Sequence, residues 1–144
     1  MRSLILFKNY QIVSRILLAA YILAVLWITL LGREKSYSVN MLAHPFWEYT
    51  AFFRNPSWYT LHDIVLNMVL FTPFGILLPL VNSSKSFRYT AFSALILSAF
   101  IEFSQLIFKL GWCEIDDMFN NTAGACIGFS VYKLVYMIKM RRSE

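Results

Sequence analysis

The chain has 144 residues, 58% of them hydrophobic and 15% charged, with a mean hydropathy of +0.56. That balance excludes a soluble domain of this size and describes a small integral membrane protein. The net charge of +5 does not point to nucleic acid, because the basic residues flank apolar runs and form no stripe within a nucleic-acid-binding motif.

Four stretches meet the length of about 20 helical residues that a bilayer core requires. In chain order they are residues 15–31, 63–81, 89–110 and 116–138. The expected fold is therefore an all-α membrane protein, a four-transmembrane-helix bundle forming a single domain over residues 1–144. The first stretch is almost purely aliphatic, with Trp27 near its end. A cleaved signal peptide is the competing reading, since Arg2, Lys8 and Arg15 resemble a basic leader. The apolar run, however, continues to Leu31 without a small-x-small cleavage site, which favours an anchor.

Placing the N-terminus inside puts Arg2, Lys8, Arg15, Lys85, Arg88, Lys133, Lys139, Arg141 and Arg142 on the cytoplasmic face. Arg33, Lys35, Arg54 and Lys109 then lie outside, and both termini are expected to be cytoplasmic. The long outer loop, residues 32–62, carries Tyr37, Phe46, Trp47, Tyr49, Phe52, Phe53, Trp58 and Tyr59. Such aromatic density belongs at a membrane interface. The loop is expected on the outer surface, either as a lid with a short interfacial helix over residues 44–53 or as a belt that only anchors the bundle.

In the second span, Pro73 removes a backbone hydrogen bond and disfavours helix at Thr72, so a kink is expected below Asn67. Asp63 and Asn67 stand at i, i+4 near its outer end. In the third span, Glu102 lies about 20 Å from Tyr89 at 1.5 Å per residue, in the outer half, and Gln105 shares its face at i, i+3. The fourth span re-enters with Asp116, Asp117, Asn120 and Asn121. Three helices thus deliver polar groups to one outer layer. Asp117, Asn121, Gly124 and Gly128 form a stripe whose lower, small-residue part permits close helix approach.

An ionisable group at a helix centre costs at least about 2.5–3.5 kcal/mol in a membrane, which makes Glu102 the leading functional candidate. Asn67, Gln105 and Asn120 also have a structural reading, as amides that hydrogen-bond helices together. Asp63, Glu114 and Asp116 read as helix caps, leaving Asp117 as the better pocket acid.

Together, Asn67-x-x-x-Phe71-Thr72-Pro73-Phe74-Gly75, Glu102-x-x-Gln105 and Glu114-Ile115-Asp116-Asp117-x-x-x-Asn121-Thr122-x-Gly124 resemble the VanZ family of membrane proteins. The segment from Asn40 to Trp47, with Pro45-Phe46, resembles the element that follows the first helix in that family. The resemblance implies a bacterial plasma-membrane protein linked to low-level resistance to the glycopeptide teicoplanin. VanZ-like sequences often carry an arginine a few residues before the acidic element, where this chain has Gly111; Lys109 is the candidate to supply that charge.

No Gly-rich phosphate loop, GxSxG or HExxH motif is present, and Cys113 and Cys126 are too different in depth to pair. His62 and Asp63 with Glu102 and Asp117 offer a mixed donor set for a divalent ion, but no compact ligand pair supports one, and no metal or cofactor is expected. Two function classes stand. In the first, the protein binds or alters an outer-leaflet amphiphile, a membrane lipid, a lipid-linked envelope component or a lipoglycopeptide antibiotic, with Asn67, Gln105, Asn121, Asp63 and His62 as ligand contacts. In the second, an intramembrane enzyme uses Glu102, with Asp117, as general acid or base on a lipid-linked substrate. Proton-coupled transport is a weaker third class, since four helices leave little room for alternating access.

Overall fold

The computed structural model describes residues 2–36, 41–81 and 86–141, with backbone alone over 2–9. Tyr37, Asn40, Lys85 and Arg142 lie outside the described residues, as do the side chains of Arg2 and Lys8. Helix α1 (Arg2–Leu26) continues through a π-helical turn (Trp27–Leu31). The short α2 (Trp47–Arg54) follows, then α3 (Trp58–Val81), α4 (Phe87–Phe108) and α5 (Ile115–Arg141). Four of these helices are long and apolar enough to cross a membrane. Their outward faces carry Ile16, Leu23, Val69, Phe92, Phe100, Ile107 and Leu134, all exposed. An apolar surface this extensive is untenable in water and suits lipid.

Helix α3 begins at Trp58, earlier than expected, and the cause is local. Asn55 precedes Pro56 and takes an extended conformation (φ −144°, ψ 92°) that ends α2. The Ser57 carbonyl then accepts from Leu61 N–H at 3.2 Å and opens α3. Asp63 consequently lies inside the helix and does not cap it. The helix runs continuously through Pro73 and Pro79. Beside Pro73, the Thr72 hydroxyl bonds the carbonyls of Met68 (2.9 Å) and, across the interface, Gly124 (3.3 Å).

Helices α3 and α5 run side by side in the same direction, at a separation only glycine allows. A methyl group added at Gly124 would overlap the Met68 carbonyl, one at Gly128 the Thr72 carbonyl, and one at Gly75 the Ala125 carbonyl. The small-residue stripe therefore acts as expected. Gly124→Leu is expected to separate the two helices and cost at least the about 1–3 kcal/mol typical of overpacking. The readout is a lower melting temperature in detergent, and an unchanged one would refute the contact.

On α4, Ala94, Ser98, Ile101, Glu102 and Gln105 recur at helical spacing on the buried face. The core joins Val25, Phe71, Phe74, Ala94, Ile101 and Ala125. Tyr21 of α1 donates to the Leu70 carbonyl of α3. At the end of the bundle away from the termini, α4 closes on Lys109 in the left-handed conformation (φ 57°). A two-residue parallel ladder then pairs β1 (Met41–Leu42) with β2 (Cys113–Glu114), tying the long loop to the α4–α5 turn.

Candidate functional site

The polar residues expected in one layer do meet at this end of the bundle, but they do different work. Asp116 is fully buried in the first turn of α5. Its carboxylate accepts the backbone N–H groups of Phe46 and of Glu48, the latter at 2.9 Å. Asp116 thus caps α2, a helix about 70 residues earlier in the chain, rather than its own. The cap holds Phe46 at φ 63°, a conformation unfavourable for a bulky residue. Phe46 also stacks on Phe119 with ring centroids 5.0 Å apart, and Tyr49 donates to the Asn120 side chain. The aromatic loop is docked on the polar layer through these contacts.

Docking carries Glu48 into the interior. Its carboxylate accepts from Asn120 Nδ2 at 2.9 Å, and it shares a cavity of about 280 Å³ with Arg33, Tyr59, Asp63, Leu66, Asn67, Trp112, Glu114 and Asp117. Asn67 Nδ2 donates to Asp117 Oδ1 at 2.5 Å, across the α3–α5 interface. Trp47 Nε1 donates to Glu114 Oε2 at 3.2 Å. Oxygens of Glu48, Glu114 and Asp117 lie within 4.8 Å of one another. Oxygens on one Ca²⁺ stand at about 2.3–2.6 Å from the ion, so these three, rather than the His62, Asp63, Glu102 and Asp117 set, are the residues that could hold a cation.

Burial and the neighbouring carboxylates raise both loop acids. Glu48 is pushed up from 4.5 to about 7, by burial first and then by Asp117, with Asn120 opposing. Glu114 is raised by burial, against the hydrogen bond from Trp47. The folded protein therefore holds the Glu48 proton at pH values where an unfolded chain has released it. The associated stability is complete below about 4.5 and is lost as pH rises through about 7. A melting temperature that falls over this window, and falls less in Glu48→Gln, is the expected result; identical pH profiles would contradict it.

Of the sequence candidates, Asp63, Asn67 and Asp117 line the cavity, while Glu102, Gln105 and Asn121 are buried and do not line it. Glu102 is 2% exposed and accepts the Glu114 backbone N–H at 3.1 Å, holding the β2 turn. Gln105 donates to the Thr29 carbonyl at 3.2 Å, joining α4 to the π turn. Asn121 donates to Ser98 Oγ at 2.8 Å, while its Oδ1 has no partner among the described residues. His62 does not line the cavity; 59% of its side chain is exposed, and its Nδ1 lies 3.6 Å from Asp63 Oδ1.

Arg33 and Glu48 escape the sequence reading. An acid inside an aromatic, otherwise apolar stretch was the available signal for Glu48. Arg33 Nη1 lies 3.0 Å from the place a Cβ on Gly111 would occupy, so the glycine opens the space the guanidinium uses. Arg33, and not Lys109, brings positive charge to the cavity.

A sequence model of the VanZ/LLP1 family matches residues 18–136. Protein VanZ of Enterococcus faecium is 29% identical over 126 residues, which cover 86% of this chain and 76% of that protein. No solved structure matches the chain significantly.

Proposed function

The chain belongs to the VanZ/LLP1 family, and we propose on that footing that it is a bacterial cell-membrane protein lowering susceptibility to teicoplanin-type glycopeptides. It does so by binding or altering an outer-leaflet amphiphile or cell-envelope component at the polar cavity. Both termini are cytoplasmic in this reading, and the cavity opens on the outer side. The charge distribution supports that orientation: Arg15, Arg88, Lys133, Lys139 and Arg141 belong to the termini end, against Arg33, Lys35, Arg54 and Lys109 at the other.

The observation that carries the proposal is the cavity itself, where carboxylates, an arginine and an asparagine gather within a membrane-length bundle. Exposed Phe53, Trp58 and Tyr59 surround the loop at this end. Such aromatics suit the headgroup level of a bilayer, where an amphiphile would present its polar part to the cavity and its chains to lipid.

An intramembrane enzyme using Glu102 as general acid or base is the alternative. The binding reading is favoured because Glu102 is buried, does not line the cavity and is engaged by the Glu114 N–H. A general acid or base must reach the reacting proton.

Expression in a susceptible Gram-positive host tests the proposal. Teicoplanin susceptibility should fall with the wild-type protein, vancomycin susceptibility should change less, and Asp117→Asn should restore teicoplanin susceptibility at equal membrane abundance. No shift with the wild type would overturn it.

A further inference from the structure

Arg33 shares its cavity with Glu48, Asp63, Glu114 and Asp117, yet among the described residues it makes no ion pair within 4.0 Å. Opposite charges so placed ordinarily close into direct, often bidentate, contact. Here two structural features keep them apart. Gly111 gives the guanidinium its own berth, and the carboxylates have other neighbours: Glu48 accepts from Asn120, Glu114 from Trp47 and Asp117 from Asn67, while Asp63 lies beside His62. The space between lone cation and carboxylates is what a ligand carrying both charges would fill.

We propose, building on the function above, that the cavity takes the headgroup of an amphiphile bearing a primary ammonium beside a phosphate. The ammonium donates its N–H groups to Glu48, Glu114 and Asp117, and the phosphate accepts from Arg33. An ammonium with three N–H donors matches three convergent carboxylates, whereas a quaternary ammonium has none to give. An anionic headgroup without an amine would meet the arginine but be repelled by the acids. The volume agrees: about 280 Å³ lies just below the range of drug-sized ligand pockets, roughly 300–1,000 Å³, enough for a headgroup and not for a glycopeptide core. Leu66 and Tyr59 on the lining meet the start of the apolar chains.

The test is lipid binding by the full-length protein in detergent, measured by native mass spectrometry with equal amounts of phosphatidylethanolamine, phosphatidylcholine and phosphatidylglycerol. Phosphatidylethanolamine is expected to be preferred by about tenfold or more, the scale of one charge-assisted contact. Glu48→Gln should erase the preference over phosphatidylcholine, and Arg33→Gln should lower overall affinity. Arg33 is exposed, so its variant should melt like the wild type. Gly111→Leu, by crowding the guanidinium, should reproduce Arg33→Gln.

Binding of all three lipids without preference would overturn the headgroup assignment and leave the proposed function standing. Binding of none would likewise overturn the headgroup assignment, while the proposed function, which also admits a lipid-linked envelope component, stands or falls on the susceptibility test. Loss of the preference in EDTA would overturn direct ammonium recognition in favour of a divalent cation on the same carboxylates. Equal affinity for free phosphoethanolamine would overturn the lipid as its source.

Discussion

Asp116→Ala is expected to release α2 from the bundle and abolish function while the four long helices persist. The carboxylate is fully buried and accepts two backbone N–H groups from the loop. Hydrogen bonds to a charged group contribute about 1.5–3 kcal/mol each, so the combined loss is about 3 kcal/mol or more. The left-handed conformation of Phe46, costing about 1–3 kcal/mol, would relax, and Glu48 would leave the cavity with it. Hydrogen exchange should rise sharply over residues 46–54 and little over α3, α4 and α5. Asp116→Asn keeps one acceptor oxygen and should show a smaller increase. Uniform protection across the loop in Asp116→Ala would refute the clamp.

Asp117→Asn and Glu102→Gln are expected to separate, although both acids come from the same polar layer. Asp117 lines the cavity, and an asparagine there can still accept from Asn67 Nδ2, so the variant should fold normally and lose activity by tenfold or more, about 1.4 kcal/mol in binding. Glutamine at 102 can still accept the Glu114 N–H, and most activity should survive. Paired dose-response curves against teicoplanin, normalised to membrane abundance, give the comparison. Loss in Glu102→Gln with full retention in Asp117→Asn would favour the acid–base alternative.

The spans and the existence of a polar layer are legible in the sequence because bilayer thickness sets helix length and desolvation makes each buried acid conspicuous. Gly124 and Gly128 are legible for a similar reason: their spacing fits a close helix contact. The division of labour within the layer is not. Asp116 looks like a cap for its own helix, and only the folded chain reveals that it caps α2. Gln105 and Glu102 share a face with the site but spend their side chains on Thr29 and Glu114. Glu48 reaches the cavity through loop docking, a long-range event with no periodic signature, and Arg33 sits in the space that Gly111 leaves open. Even the start of α3 depends on one local feature, the extended Asn55 before Pro56, that residue-by-residue hydropathy does not register.

The most direct measurement on the central proposal is amphiphile retention. The protein would be purified from its host membrane and examined intact by native mass spectrometry, with Asp117→Asn and the lipid-facing control Phe100→Leu alongside. A bound envelope amphiphile is expected on the wild type and on Phe100→Leu but not on Asp117→Asn, all three melting at similar temperatures. Equal retention by the wild type and Asp117→Asn would contradict the assignment of the cavity as the binding site.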